Sequence, residues 1–162
     1  MRTMPIPDSV DHVLLDEETI RARTEALAEQ ISRDYAGLRN EDFVLVGVLK
    51  GSFIFLADLA RRLTVPHRVD FIALSSYTDA TDVPGAVRMI MDTRAAIPGR
   101  HVLIVEDILD TGYTLAYLQR VFNARGPASL RTCVLLSKPE RRKVEVSVDY
   151  LGFEIPDVWV VG

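Results

Sequence analysis

The segment from Val102 to Leu115, VLIVEDILDTGYTL, constrains the fold more than any other stretch of this chain. Its apolar start reads as a buried strand. Two adjacent carboxylates follow, then a third, and a glycine-bearing turn with two threonines opens a helix. Such an order suits a sugar phosphate. Helix N-terminal N–H groups and threonine hydroxyls can hold phosphate, while carboxylates accept hydrogen bonds from ribose hydroxyls. The spacing alone supports a phosphate-binding strand, turn and helix.

The rest of the chain repeats the same alternation. Asp16 to Gly37 reads as an amphipathic helix capped by Asp16 and ended by Gly37, with Ile20, Leu27, Ile31 and Tyr35 near one face. FVLVGVL at Phe43 to Leu49 has strand character on both faces, and KGS leads from it into FIFLADLARRL, where Phe53, Leu56, Leu59, Ala60 and Leu63 recur at helical spacing. A strand is expected at Arg68 to Ser75 and another at Ala86 to Asp92, separated by SSYTDATDVPG, whose composition fits a mobile loop or hairpin. The strand at His101 to Glu106 feeds a helix near Thr114 to Ala124 that stops at Gly126-Pro127, and Leu130 to Ser137 forms the next strand. Short strands around Val146 to Leu151 and Val158 to Val161 extend the sheet or fold over its end as a small hood. The expected class is therefore α/β, a mostly parallel twisted sheet flanked by helices, in a single domain over residues 1–162. Such sheets bind ligands beyond the carboxyl ends of their strands. LKGS, EDILDTGYT and SKPE all fall there.

Composition narrows the class of function. With 162 residues, 48% of them apolar, the chain can bury one sizeable core. A net charge of −4 argues against wide contact with nucleic acid or anionic membranes. The N-terminal stretch lacks an apolar core of signal-peptide length, and no later run approaches the roughly 18 apolar residues that span a bilayer. A cytoplasmic protein is expected. Cys133 is the only cysteine, so neither an internal disulfide nor a CxxC metal site is possible, and its apolar neighbours make it an inert core thiol.

VLIVEDILDTGYTL resembles the phosphoribosyl-pyrophosphate motif of type I phosphoribosyltransferases. LVGVLKGSFIFLADL, the SSY that begins the loop, VEDILDTGYT, LLSKPERRK and GFEIPDVWVVG are similar more narrowly to the hypoxanthine-guanine phosphoribosyltransferase family, over Leu45 to Gly162. The resemblance implies that family's fold, with a small hood and a flexible catalytic loop. It also implies transfer of phosphoribosyl from phosphoribosyl pyrophosphate to a 6-oxopurine, giving a purine nucleotide and pyrophosphate with Mg²⁺, and a homodimer or homotetramer.

Each segment can supply a group the chemistry needs. Asp110, Thr111, Gly112, Tyr113 and Thr114 would form the 5′-phosphate cradle, Gly112 allowing close backbone approach; the bland alternative is an ordinary capped helix start. Glu106 and Asp107, at the strand end and aimed in opposite directions by the pleat, would hold the ribose hydroxyls directly or through Mg²⁺. Either could instead pair with a cation. The resemblance makes Asp110 the general base that takes the proton from the purine's other imidazole nitrogen, against a role limited to capping the turn. Leu49, Lys50 and Gly51 resemble a pyrophosphate loop that uses backbone N–H groups and an unusual peptide geometry between the first two; the letters do not reveal the isomer. Ser76 and Tyr77 match the start of the loop that closes over the site. Lys138 matches the lysine set against the purine's 6-oxo group, where an ammonium can only donate. Trp159 matches the residue that stacks on the purine, and Val160 its neighbour whose backbone meets the ring edge. Arg141, Arg142 and Lys143 form the most basic cluster and read as a solvated face.

Chains of this resemblance usually continue past VVG with a tyrosine-containing turn, an aspartate for metal and purine, and an arginine for pyrophosphate; these letters end at Gly162. Two other classes share the motif. One is an RNA-binding regulator of the same fold, disfavoured by LKG, Asp110, SKPE and the acidic balance. The other is a nucleotide-sensing domain without activity.

Overall fold

A computed structural model describes residues 12–39, 42–76 and 87–161. The first helix, α1 (Glu17–Asp34), begins where the Asp16 carboxylate accepts from the Thr19 N–H at 2.7 Å, which occupies one of the orphan donors of the first turn. It is followed by β1 (Phe43–Leu49), α2 (Phe53–Ala60), β2 (Arg68–Ser76), β3 (Val87–Met91), β4 (His101–Leu109), α3 (Tyr113–Asn123), β5 (Ser129–Ser137) and β6 (Tyr150–Glu154). A single 3₁₀ turn at Pro139–Arg141 follows β5.

The strands form one sheet in the order β3-β2-β1-β4-β5-β6, parallel throughout except for the antiparallel β2–β3 pair. β1 and β4 are apolar on both faces because both faces are covered. Phe43, Leu45, Leu103 and Val105 pack with Leu27, Ile31, Phe55, Leu56 and Leu59 of α1 and α2. Val44, Val46, Val102 and Ile104 pack on the other side with Leu115, Leu118 and Phe122 of α3. The α3 residues recur at intervals of three and four, so one stripe of that helix faces the sheet. Cys133 lies wholly buried in the first of these cores, where burial pushes its thiol far above the usual range.

This order fixes where a ligand can sit. The chain leaves β1 through α2 toward β2 on one side, while β4 and β5 continue on the other. The carboxyl ends of the adjacent strands β1 and β4 therefore open a crevice at the point where the winding reverses.

Several expectations are corrected. β4 does not end at its first carboxylate: Ile108 and Leu109 remain in register with Leu136 and Ser137, so Glu106 and Asp107 lie within the strand. On α2 the buried residues are Phe55, Leu56 and Leu59, whereas Phe53 is 53% exposed. Val158 to Val161 form no strand; β6 extends the sheet instead, and its ladder ends as the Ile155 N–H donates to the Ser137 carbonyl, just ahead of Pro156, which has no N–H. The Arg23 guanidinium donates to the Gly152 carbonyl at 3.0 Å, covering part of this edge strand. Among the described residues no helix is long and apolar enough to cross a membrane.

Candidate active site

The crevice is lined first by the turn after β1. The Leu49–Lys50 peptide is cis, and Gly51 follows it. A Cβ at Gly51 would lie 2.0 Å from Asp107 Oδ2, so only glycine lets this turn sit directly against that carboxylate. Two segments singled out separately by sequence, LKG and EDILD, therefore touch.

Alternation along β4 sends its two carboxylates to opposite faces. Glu106 is 8% exposed and its Oε2 has no hydrogen-bond partner. Burial, and then the neighbouring Asp107 carboxylate, hold the Glu106 carboxyl well above the ordinary carboxylate range. A buried carboxylate oxygen without a donor is costly, and it fits a site that a hydroxyl or cation completes. Asp107 is half-buried on the Gly51 side.

Beyond β4, Gly112 adopts φ +93° and caps α3, a left-handed conformation that non-glycine residues rarely take. Its Cα position is also crowded, because a Cβ would come within 2.7 Å of the Val144 carbonyl. The Thr111 carbonyl accepts from the Lys143 and Val144 N–H groups at 2.9 and 3.2 Å, which straps residues 143–144 across the turn. The start of α3 at Tyr113 and Thr114 presents the orphan N–H groups of a helix N-terminus next to Asp110 and Thr111.

The third segment closes the far side. Lys138, only 7% exposed, follows β5, and its N–H donates to the Leu109 carbonyl at 2.9 Å, which ties the ends of β4 and β5 together. Its ammonium lies 3.9 Å from Asp157 Oδ1. Trp159 is 91% exposed and Val160 partly buried, so the indole stands open to a flat partner.

Arg141 and Lys143 are exposed and Arg142 is partly buried, so the cluster is a solvated face, but both arginines are also engaged with Asp110. Arg141 Nε donates to Asp110 Oδ1 at 2.6 Å, and this bond is the main cause pushing the guanidinium's already high pKa further up. Arg142 donates through Nε to the Asp110 carbonyl at 3.2 Å and through a terminal nitrogen to Ser137 Oγ at 3.0 Å. Asp157 lies 3.6 Å from Arg141 and was not singled out by sequence. The usable signal was position: both residues follow strands that end at the ligand edge. The Ser76 backbone ends β2 at that edge, whereas Tyr77 lies outside the described residues.

The crevice brings together a helix N-terminus, the Asp107 carboxylate against a crowded glycine turn, and a buried ammonium, with Glu106 buried beside them. A family profile described as Phosphoribosyl transferase domain matches residues 13–162. The chain is 47% identical over 150 residues to a hypoxanthine phosphoribosyltransferase of Haemophilus influenzae, covering 93% of this chain and 84% of that protein. It is 46% identical over 153 residues to a hypoxanthine-guanine phosphoribosyltransferase of Dictyostelium discoideum, covering 93% and 84%. Among solved structures, a hypoxanthine phosphoribosyl transferase of Trypanosoma cruzi superposes with a TM-score of 0.91 at 47% identity, over 98% of this chain and 85% of that one.

Proposed function

The chain belongs to the phosphoribosyltransferase family, and from that premise we propose that it is a purine salvage enzyme joining phosphoribosyl pyrophosphate to hypoxanthine or guanine. The products are IMP or GMP and pyrophosphate. The observation that carries this reading is the meeting of Gly51 with Asp107 at the β1/β4 crevice, beside the turn that opens α3. Pyrophosphate and 5′-phosphate would then lie on opposite sides of the ribose, with Asp107 beneath it.

In this reading Thr111, Gly112, Tyr113 and Thr114 hold the 5′-phosphate through N–H groups and hydroxyls. Leu49, Lys50 and Gly51 hold pyrophosphate, and Ser76 and Tyr77 begin the loop that excludes water from the activated sugar. Lys138 donates to the 6-oxo group, Trp159 stacks on the ring and Val160 meets its edge. Asp110 accepts the proton released as the other imidazole nitrogen bonds to the ribose carbon and pyrophosphate departs. Glu106 and Asp107 stabilise positive charge developing on the ribosyl group.

The donor set also fits Mg²⁺. Asp107, half-buried beside Gly51, is a hard oxygen ligand facing the crevice, and Glu106 would join it once its carboxyl is deprotonated and turned to that side. Mg²⁺ is commonly held by one or two carboxylates together with substrate oxygens and water. When bound, Mg²⁺ supplies charge neutralisation for the departing pyrophosphate. We propose the whole of residues 1–162 as one phosphoribosyltransferase domain, acting in the cytoplasm as a homodimer or homotetramer. Adjacent apolar side chains Phe53 and Ile54, 53% and 59% exposed, support a second copy as the cover for α2.

A structure with IMP tests the assignment. The 5′-phosphate is expected on the N–H groups of Thr111 to Thr114 and the base beside Lys138. A phosphate bound elsewhere with that turn empty would reject it.

A further inference from the structure

We propose that Arg141 and Asp157 are positioning residues of the purine half of this site, and that Asp157 links recognition of the 6-oxo group to the orientation of Asp110. The proposal rests on the roles given above to Lys138 and Asp110.

Four side chains of alternating charge form a line across the ends of three strands. The Lys138 ammonium lies 3.9 Å from Asp157 Oδ1, Asp157 Oδ2 lies 3.6 Å from an Arg141 terminal nitrogen, and Arg141 Nε donates to Asp110 Oδ1 at 2.6 Å. Asp110 follows β4, Lys138 and Arg141 follow β5, and Asp157 follows β6. Backbone bonds that the fold makes in any case set Lys138 and Arg141 and end β6 just ahead of Asp157. The Lys138 N–H binds the Leu109 carbonyl, the Arg141 N–H closes a turn on the Lys138 carbonyl at 3.2 Å, and the Ile155 N–H ends the β5–β6 ladder on Ser137.

The two ends of the line differ in a way that bears on chemistry. At the Asp110 end the contact is a full hydrogen bond. A carboxylate turns readily about its last torsion, which is broad and roughly two-fold. Fixing Oδ1 on Arg141 leaves Oδ2 as the oxygen that meets an incoming proton. At the Lys138 end the separation exceeds hydrogen-bond distance, so the donors of this buried ammonium remain for a carbonyl oxygen. Asp157 gives one oxygen to each cation. When a 6-oxopurine draws Lys138 onto its carbonyl, the pull on Asp157 Oδ1 weakens and Asp157 can close on Arg141, which steadies Asp110 as the base arrives.

The opposing view is that three partly exposed pairs form a surface network without influence on catalysis, since isolated exposed ion pairs contribute little. Kinetics separate the two. Steady-state rates are measured for the full chain and for Arg141→Gln, Arg141→Lys, Asp157→Asn and the Arg141→Gln/Asp157→Asn double variant, varying hypoxanthine and phosphoribosyl pyrophosphate in turn. Loss of the charged Arg141–Asp110 hydrogen bond predicts about a 10-fold fall in kcat/KM for hypoxanthine in Arg141→Gln, and loss of the charge that steadies Arg141 predicts a fall in the same direction, up to about 10-fold, in Asp157→Asn. The KM for phosphoribosyl pyrophosphate should stay within about twofold. Arg141→Lys should recover part of the loss, and the double variant should be no worse than about the poorer single one, because both residues act through one line. Unchanged hypoxanthine kinetics, equal effects on both substrates, or effects that multiply in the double variant would overturn the proposal. No IMP from the unmodified chain would overturn the assigned reaction itself, a result distinct from an active enzyme whose variants behave like it.

Discussion

Gly51→Ala should separate the fold from its function. A Cβ there would sit 2.0 Å from Asp107 Oδ2, 2.5 Å from Cγ and 2.7 Å from Oδ1, whereas ordinary contact begins at 3.4 Å. The carboxylate must therefore retreat by more than 1 Å. Because the clashing atoms end a side chain rather than belong to backbone, the fold can yield, at the low end of the ~1–3 kcal/mol typical of overpacking. That corresponds to a Tm lower by about 2–4 °C in a domain of this size. The site cannot yield so easily. A misplacement of about 1 Å at a substrate-positioning group costs on the order of 10²-fold, or ~2.7 kcal/mol of transition-state stabilisation. Initial rates at saturating hypoxanthine, with phosphoribosyl pyrophosphate varied, should show this loss in kcat/KM for the sugar substrate. Pairing Gly51→Ala with Asp107→Ala removes the clash, so Tm should recover while activity does not. A Gly51→Ala variant that keeps both its Tm and its kcat/KM, or loses activity only in proportion to unfolding, would refute this role for Gly51.

Asp110→Asn should lower turnover by roughly 10²–10⁴-fold with nucleotide binding largely intact, measured by rates and by IMP titration, because the amide keeps the turn's shape but cannot take a proton; near-normal turnover would remove Asp110 from its role. Glu106→Gln should change how stability depends on pH. Burial and Asp107 raise the Glu106 pKa in the folded state above its unfolded value of about 4.3, so the native form binds the proton more tightly. Its contribution is fully present below that unfolded value and is lost as pH rises through the raised native one. The Tm of Glu106→Gln relative to the unmodified, ligand-free chain should therefore climb as pH rises from about 4.3, and a difference constant with pH would count against it. Lys138→Gln can donate or accept by turning its amide, so it should weaken use of hypoxanthine and narrow the advantage over adenine; an unchanged activity ratio would refute the role of the ammonium.

What could be read from the letters follows from which interactions are local. β1 and β4 announce themselves because parallel strands covered on both faces carry unbroken apolar runs, and the Asp16 cap and the Gly112 turn are short-range chemistry. Glu106 interrupts the apolar run and so marks a strand end in the letters, whereas pairing with β5 carries the ladder on to Leu109. α2 offered several apolar stripes, and only packing against Leu45 and Leu103 selects Phe55, Leu56 and Leu59 over Phe53. Val158 to Val161 are apolar enough for a strand, but Pro156 and the end of the Ser137 ladder leave them without one. The contacts of Arg141 and Arg142 do not show in the letters, because their partner, Asp110, lies about thirty residues away in sequence and meets them only once β4 and β5 pair. The cis Leu49–Lys50 peptide leaves no mark on composition or spacing.

Transfer of phosphoribosyl to a 6-oxopurine can be read from a competition reaction. The unmodified chain is incubated with phosphoribosyl pyrophosphate, Mg²⁺ and equal amounts of hypoxanthine, guanine, xanthine, adenine and uracil, and the nucleotide products are identified. A site built around a hydrogen bond from a buried donor can reject a mismatched group by about 10⁴–10⁵-fold. IMP and GMP should accumulate with matching pyrophosphate while adenine and uracil remain unconverted. A product mixture led by AMP or UMP, or no nucleotide at all, would contradict the account.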